Sequence, residues 1–251
     1  MELAEHLSKP DEHLSADVAA AYDHAHSSRF ESADVRPTVD MLVELAGQGS
    51  AVEFAIGTGR IGLPLAERGV TVYGIDFSEA MLAELAQKSG SEQITLTTGD
   101  MTTTQVCDDA SLVYLVFNTI GNLRTQAAQV ACFRNAAAHL APAGRFVIEV
   151  GVPQIQRLPV GETIMPFDVS KQHLGFNEYI DQVNQIVVSH HYYFDSDQAR
   201  TLSGAFRYAW PAELDLMAQL AGMELEHRWA DWNRTTFDGD SPRHVSVWRM
   251  P

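Results

Sequence analysis

Cysteine is nearly absent: Cys107 and Cys132 are the only two in 251 residues. Two isolated thiols cannot build a disulfide framework or a closed zinc site, and no metal centre is expected. They read as idle thiols of a reducing compartment. Basic residues are scarce as well. The chain has 17 Lys and Arg against 33 Asp and Glu, a formal charge of -16, and no run of Lys and Arg. Nucleic-acid affinity rests on cations that displace counterions, so DNA, RNA and anionic membrane surfaces are poor partners. No uninterrupted apolar stretch reaches the roughly 20 residues of a membrane span. Residues 1–12 are polar and carry acids, unlike a secretory leader. A cytoplasmic location is the expectation.

What is present is ordinary globular composition, 45% hydrophobic and 20% charged, enough for one sizeable core with room for an insertion. The first fifty residues read as helices. One is capped by Ser15 and runs through Val18 and Tyr22; a second, near 37–46, puts Val39, Leu42, Val43 and Ala46 on one face. From Ala51 short apolar runs at 51–56, 71–75, 94–98, 112–117 and 145–150 alternate with amphipathic stretches such as 78–88 and 125–140. That alternation implies right-handed crossovers and a parallel sheet. After Val150 the rhythm breaks. Segments 186–194 and 201–210 alternate around Asp195-Ser196-Asp197 and read as part of an antiparallel insertion. Pro211 opens a last helix, stopped by Gly222, and strands at 223–229 and 244–248 follow, the final one antiparallel. The expected organisation is N-terminal helices and a cofactor-binding core over 1–150, an insertion over 151–210, and the core completed over 211–251.

The segment Glu53-Phe54-Ala55-Ile56-Gly57-Thr58-Gly59-Arg60-Ile61-Gly62 carries the most information. A buried strand ends in glycines and a helix starts at once, which lets backbone N–H groups approach a ligand at the helix's positive end. Gly57, Gly59 and Gly62 also satisfy the dinucleotide fingerprint, with Asp76 near the expected distance. Glycine spacing alone therefore leaves a nicotinamide cofactor and S-adenosylmethionine both open. Three features separate them. Glu53 stands on the strand where a dinucleotide fold normally has an apolar residue, and an acid there suits a methionine portion. Asp76 ends the second strand, where a carboxylate can accept both ribose hydroxyls, with Phe77 and Met81 placed to flank an adenine; Ser78 or Asp76 could equally cap the next helix. Gly99-Asp100-Met101 follows the third strand and suits the adenine amino group and ring.

Together with Phe117-Asn118-Thr119-Ile120-Gly121 and the turn Leu140-Ala141-Pro142-Ala143-Gly144, these elements resemble the class I S-adenosylmethionine-dependent methyltransferases from Tyr22 to the C-terminus. The chain looks most like small-molecule members such as the deoxysugar N-methyltransferases. In those, an N-terminal Tyr-Asp segment and an Arg help close over the cofactor, matched here by Tyr22-Asp23 and Arg29. Ala55 stands where many members have glycine, and His26 replaces an aromatic. The resemblance implies a doubly wound, Rossmann-like α/β sheet of order 3-2-1-4-5-7-6 with the last strand antiparallel, and an antiparallel β insertion. It implies S-adenosylmethionine as cofactor and a small-molecule acceptor methylated on nitrogen or oxygen. The residues expected to bind the cofactor are Tyr22, Arg29, Glu53, Ala55, Gly57, Gly59, Asp76, Phe77, Met81, Gly99, Asp100, Met101 and Phe117. A nicotinamide-dependent oxidoreductase and a cofactor-binding protein without catalysis are the alternatives.

Ligands of open parallel sheets lie outside the carboxyl ends of the strands. The insertion and the loop 230–243 leave from that edge and are expected to build the acceptor pocket. Trp229, Trp232, Tyr192, Tyr193, Phe206 and Trp210 would form its walls, and His190, His191, Arg207 or Arg234 its polar contacts. His190, His191 and His244 are candidate bases, none of them assigned, because transfer from a sulfonium needs positioning before it needs a base. The acceptor itself is not legible, and a homodimer is among the assemblies open to the chain.

Overall fold

The computed structural model describes residues 32–195 and 198–251. The expected N-terminal helix through Tyr22, with Asp23, His26 and Arg29, lies outside them. Helix α1 (Ser32–Ala46) begins earlier than the sequence suggests and carries Pro37 within its first turns. It turns Val35, Val39 and Leu42 into the core.

A seven-stranded sheet follows, built from β1 (Ala51–Phe54), β2 (Val72–Asp76), β3 (Ile94–Thr98), β4 (Ala110–Leu115), β5 (Leu140–Gly151), β10 (Glu224–Trp229) and β11 (Arg243–Arg249). Its order is β3-β2-β1-β4-β5-β11-β10. β1 to β5 pair in parallel, while β11 is antiparallel to both β5 and β10. This is the doubly wound order expected from the sequence, reversed last strand included. Helices α2 (Gly62–Glu67) and α3 (Glu79–Ala86) join the first three strands; α4 (Gln126–His139) and α5 (Pro211–Leu220) serve the other half. Strand parity divides the core. Ala51, Tyr114, Val147 and Val245 face α1 and α2, whereas Val52, Val113, Phe146 and Trp248 face α4 and α5. Each large apolar side chain so buried contributes about 1.5–3 kcal/mol.

β5 departs from expectation. The turn read at 140–144 is absorbed into the strand, which already pairs at Leu140 with Ala110 and then shifts register. Ala143 takes φ 63° at that irregularity. A bulge lets the chain bend without ending the ladder.

The insertion is a separate antiparallel sheet of order β6-β7-β8-β9: β6 (Ile164–Val169), β7 (His173–Asp181), β8 (Ile186–Asp195) and β9 (Gln198–Arg207). β8 and β9 match the two segments legible in the sequence. β6 was not legible: its pairing with β7 slips between Pro166 and Asp168, and Ile164, Phe167 and Val169 are exposed, so it carries no clean alternation. β9 fastens this sheet to the core at the carboxyl edge. Its open side meets the 3-10 turn Thr119–Asn122, where a side chain at Gly121 would stand 3.4 Å from the Arg207 carbonyl, and Arg124 donates to the Ala205 carbonyl at 3.1 Å.

Candidate active site

The strand tips of β1, β2 and β4 meet where the backbone is most strained. Ala55 (φ 54°) and Gly57 (φ 57°) turn the chain out of β1; Phe117 (φ 64°) and Asn118 (φ 59°) turn it out of β4. L-residues adopt this region at a cost of roughly 1–2 kcal/mol each, so neighbours must hold them. Glu149 on β5 accepts the Phe117 N–H at 3.2 Å through its carboxylate and the Asn118 N–H at 3.2 Å through its carbonyl, and Asn118 accepts the Gly151 N–H.

The two loop glycines do different jobs. A side chain at Gly59 would collide with Leu85 on α3 at 2.4 Å, so Gly59 serves packing. At Gly57 nothing lies within 4 Å, which leaves its outer side open. The Gly57 N–H donates to Asp76 Oδ2 at 2.7 Å, and the Ser78 N–H donates to Asp76 Oδ1 at 2.8 Å. Asp76 thus ties the loop to the end of β2. Burial raises its pKa, against those backbone donors. Capping of α3 falls to Ser78, whose hydroxyl accepts the Met81 N–H at 3.3 Å. Each carboxylate oxygen has a second lone-pair site, so Asp76 keeps capacity for further donors.

Glu53 is 3% exposed and sits between Gly74 and Tyr114 in register, on the face turned to α1. The Tyr114 hydroxyl donates to Glu53 Oε2 at 2.9 Å. Burial pushes the Glu53 pKa up to about 8, while Tyr114, the charge of Arg60 and the Gly62 N–H pull it down. Arg60 stands over the Phe117 ring, 5.1 Å from its centre. Phe77, beside Asp76, is 68% exposed, an unusual state for a phenylalanine.

The remaining expected residues divide. Met81 is buried in α3. Gly99 is needed because a side chain there would meet Thr104 at 2.2 Å. Asp100 is exposed but spends Oδ1 on the N–H and hydroxyl of Thr102, each at 2.8 Å. Met101 packs on the α4 side of the core. Tyr22 and Arg29 lie outside the described residues. Tyr114, Glu149 and Arg60 escaped the sequence reading, although a tyrosine inside the run Leu112-Val113-Tyr114-Leu115 signals a hydroxyl that needs a buried partner.

Among the acceptor candidates, Arg207 is committed elsewhere. It is buried beneath β9 and bonds Gln129, Gln185 (2.7 Å) and Glu213 (2.6 Å). His244 is also internal: Nδ1 meets Ser246 Oγ at 2.8 Å, Nε2 is buried without a partner, and burial drives the pKa down to about 3. His190 lies between Ser203 (2.9 Å) and Glu178 (3.2 Å) on one face of the insertion sheet. His191 lies on the other face, 3.0 Å from His173, which holds Asp168 at 2.8 Å. Trp229 stacks on His227 beneath Arg234, in a groove beside β10 whose charges are already paired, Arg145 with Glu226 and Arg234 with Glu44. Its paired charges offer a ligand little. Among the described residues no cluster of His, Cys, Asp and Glu could hold a metal ion.

Comparison with known proteins agrees with this geometry. Residues 51–144 match a methyltransferase domain family. The solved structure of the CcbJ methyltransferase from Streptomyces caelestis is 34% identical, covers 86% of this chain and 89% of its own, and superposes with a TM-score of 0.78. The chain belongs to the S-adenosylmethionine-dependent methyltransferases. A curated relative, the dTDP-3-amino-3,6-dideoxy-alpha-D-glucopyranose N,N-dimethyltransferase of Streptomyces fradiae, is 32% identical over 145 residues, 56% of this chain and 55% of that protein. The chain spans about half the length of the curated relatives it matches. The amino pentose methyltransferase CalS10 from Micromonospora echinaspora, solved with S-adenosylmethionine bound, shares the fold at 20% identity, a TM-score of 0.70, and coverage of 92% of this chain and 96% of its own. Membership of this family sets the nicotinamide reading aside and makes S-adenosylmethionine the cofactor of this methyltransferase. No helix among the described residues is long and apolar enough to cross a membrane.

Proposed function

We propose that this methyltransferase transfers the methyl group of S-adenosylmethionine to the amino nitrogen of a small molecule, with amino sugars as the acceptor class. The observation that carries the reading is the convergence of Glu53, the open side of Gly57, Asp76 and the exposed Phe77 ring at the tips of β1 and β2. The donor set fits the cofactor. Asp76 would take the ribose hydroxyls, Phe77 the adenine face, and the glycine loop the amino-acid end above Glu53. Tyr22, Arg29, Ala55, Gly59, Met81, Gly99, Asp100, Met101 and Phe117 complete the proposed site. The curated relative named as an N,N-dimethyltransferase of an amino deoxysugar supports the acceptor class.

The cofactor supplies an already activated methyl group on a sulfonium. The protein's task is to hold the acceptor nitrogen in line and exclude water, which can account for roughly 7–11 kcal/mol of barrier. Phe117 and Asn118, held in a fixed strained turn at the tip of β4, are the backbone against which an acceptor would be aligned. The wider proposal is a protein that engages neither nucleic acid nor membrane and works in the cytoplasm, in keeping with its charge of -16. Calorimetry with S-adenosylmethionine and S-adenosylhomocysteine tests the binding. Saturation by both is expected, and no heat from either at millimolar concentration overturns the reading. Mass spectrometry of an amino-sugar panel incubated with the cofactor tests the chemistry; methyl appearing only on hydroxyl or carboxylate acceptors would displace the nitrogen assignment.

A further inference from the structure

Glu53 and Tyr114 form an enclosed pair that neither packing nor the loop geometry requires. They are register partners on adjacent parallel strands, so both side chains leave the sheet on one face, and the hydroxyl reaches Oε2 at 2.9 Å. A phenylalanine at position 114 would fill nearly the same space in this apolar layer. Gly62 is kept small by the pair, since a side chain there would come within 2.7 Å of Glu53 Oε2. Among the described residues, the surroundings of the carboxyl come from three elements of the sheet edge. β4 presents Tyr114; the loop presents Arg60 and the Gly62 N–H; β2 presents Asp76. On α1 Asp40 is drawn to Arg68 and Glu44 to Arg234, while Val35, Val39 and Leu42 face the core. On the α3 side Lys88 is spent on the Thr58 carbonyl at 2.7 Å.

We infer that Tyr114 is a positioning residue that lets Glu53 ionise when the cofactor's ammonium end docks over the glycine loop, so that binding of the cofactor expels one proton to solvent. The inference rests on the cofactor placement proposed above. Without ligand the enclosed carboxyl holds its proton at neutral pH, because burial outweighs the donors around it. A cation brought over the loop tips the balance: the Glu53 O–H bond breaks, its electron pair stays on the carboxylate, and the proton leaves to buffer. The Tyr114 hydroxyl donates to Glu53 Oε2 in either state but binds the ionised one more strongly, which eases that step.

The test is calorimetry of the full chain at pH 7 in two buffers of different ionisation enthalpy. S-adenosylhomocysteine carries the amino-acid end with its ammonium and carboxylate, and 5′-methylthioadenosine is the same nucleoside thioether without that end. With the unmodified protein, S-adenosylhomocysteine should release about one proton more than 5′-methylthioadenosine, which cancels any contribution from Asp76 at the ribose. Glu53→Gln should abolish that difference. Tyr114→Phe should weaken S-adenosylhomocysteine about tenfold and leave 5′-methylthioadenosine within about twofold. Equal proton counts for the two ligands, or equal weakening of both by Tyr114→Phe, overturns the inference. Should Tyr114→Phe fail to fold, the proton counts of the unmodified protein and Glu53→Gln still decide. Failure of both ligands to bind instead overturns the proposed function, a distinct result.

Discussion

The tips of the parallel sheet and the face of the insertion sheet are both rich in polar side chains, yet they are built on opposite principles. At the tips, three non-glycine residues (Ala55, Phe117 and Asn118) hold positive φ, and two carboxylates are buried. In the insertion, β7 to β9 keep near-perfect register. Positive φ on a non-glycine residue is confined, among the described residues there, to Gln185 in the β7–β8 turn, and the histidines stack with Tyr193 and Phe176 in unstrained ladders. Strain and buried charge persist only where the surroundings over-determine them, and they gather at functional sites. The contrast is what the proposed cofactor site at the strand tips would require.

The joint between the two regions is where the largest effect is expected. Arg207→Met removes a buried guanidinium from Glu213, Gln129 and Gln185 and leaves the Glu213 carboxylate without a cation, held only by Gln126 and Gln185. The expected loss is about 3–5 kcal/mol in urea unfolding. A loss below about 1 kcal/mol would show that the two sheets hold together without it. Next comes the tip itself. Asp76→Ala should weaken S-adenosylhomocysteine at least tenfold by calorimetry, about 1.4 kcal/mol or more. Unchanged affinity would reduce Asp76 to a tie between loop and strand. The smallest effect separates the two kinds of positive φ. Ala55→Gly should stabilise the protein by about 0.5–1 kcal/mol, the relieved strain less the entropy glycine adds to the unfolded chain. Gln185→Gly, at nearly the same φ, should destabilise it, because Gln185 bonds the Tyr208 carbonyl, Glu213 and Arg207. Thermal denaturation of the two variants side by side reads the signs; a like sign for both would erase the distinction.

The core strands were legible because each is a short apolar run bounded by turn chemistry, and because Asp76 and Gly57 sit where a strand must stop; their order followed from the family resemblance. The loop's glycines were legible as a pattern, but not their division of labour, which depends on Leu85 arriving from α3. Tyr114 was hidden inside a run that reads as pure core, since its partner is sixty-one residues away in sequence and adjacent only across the ladder. Arg207 was misplaced for a related reason. Strand alternation shows that a side chain leaves one face of a sheet, but not which neighbour lies beneath that face. β6 stayed unseen because its irregular pairing spoils the period that would announce it.

That irregularity has a consequence of its own. β6 is the outermost strand of its sheet, with Ile164, Phe167 and Val169 bare to solvent. A smooth ribbon of this kind would act as a template on which other chains could zip and aggregate. Pro166 offers no N–H to a newcomer, the slip before Asp168 spoils the spacing, and the carboxylate adds charge at the same spot. Straightening the ribbon with ordinary strand formers would therefore turn a solitary rim into an adhesive one.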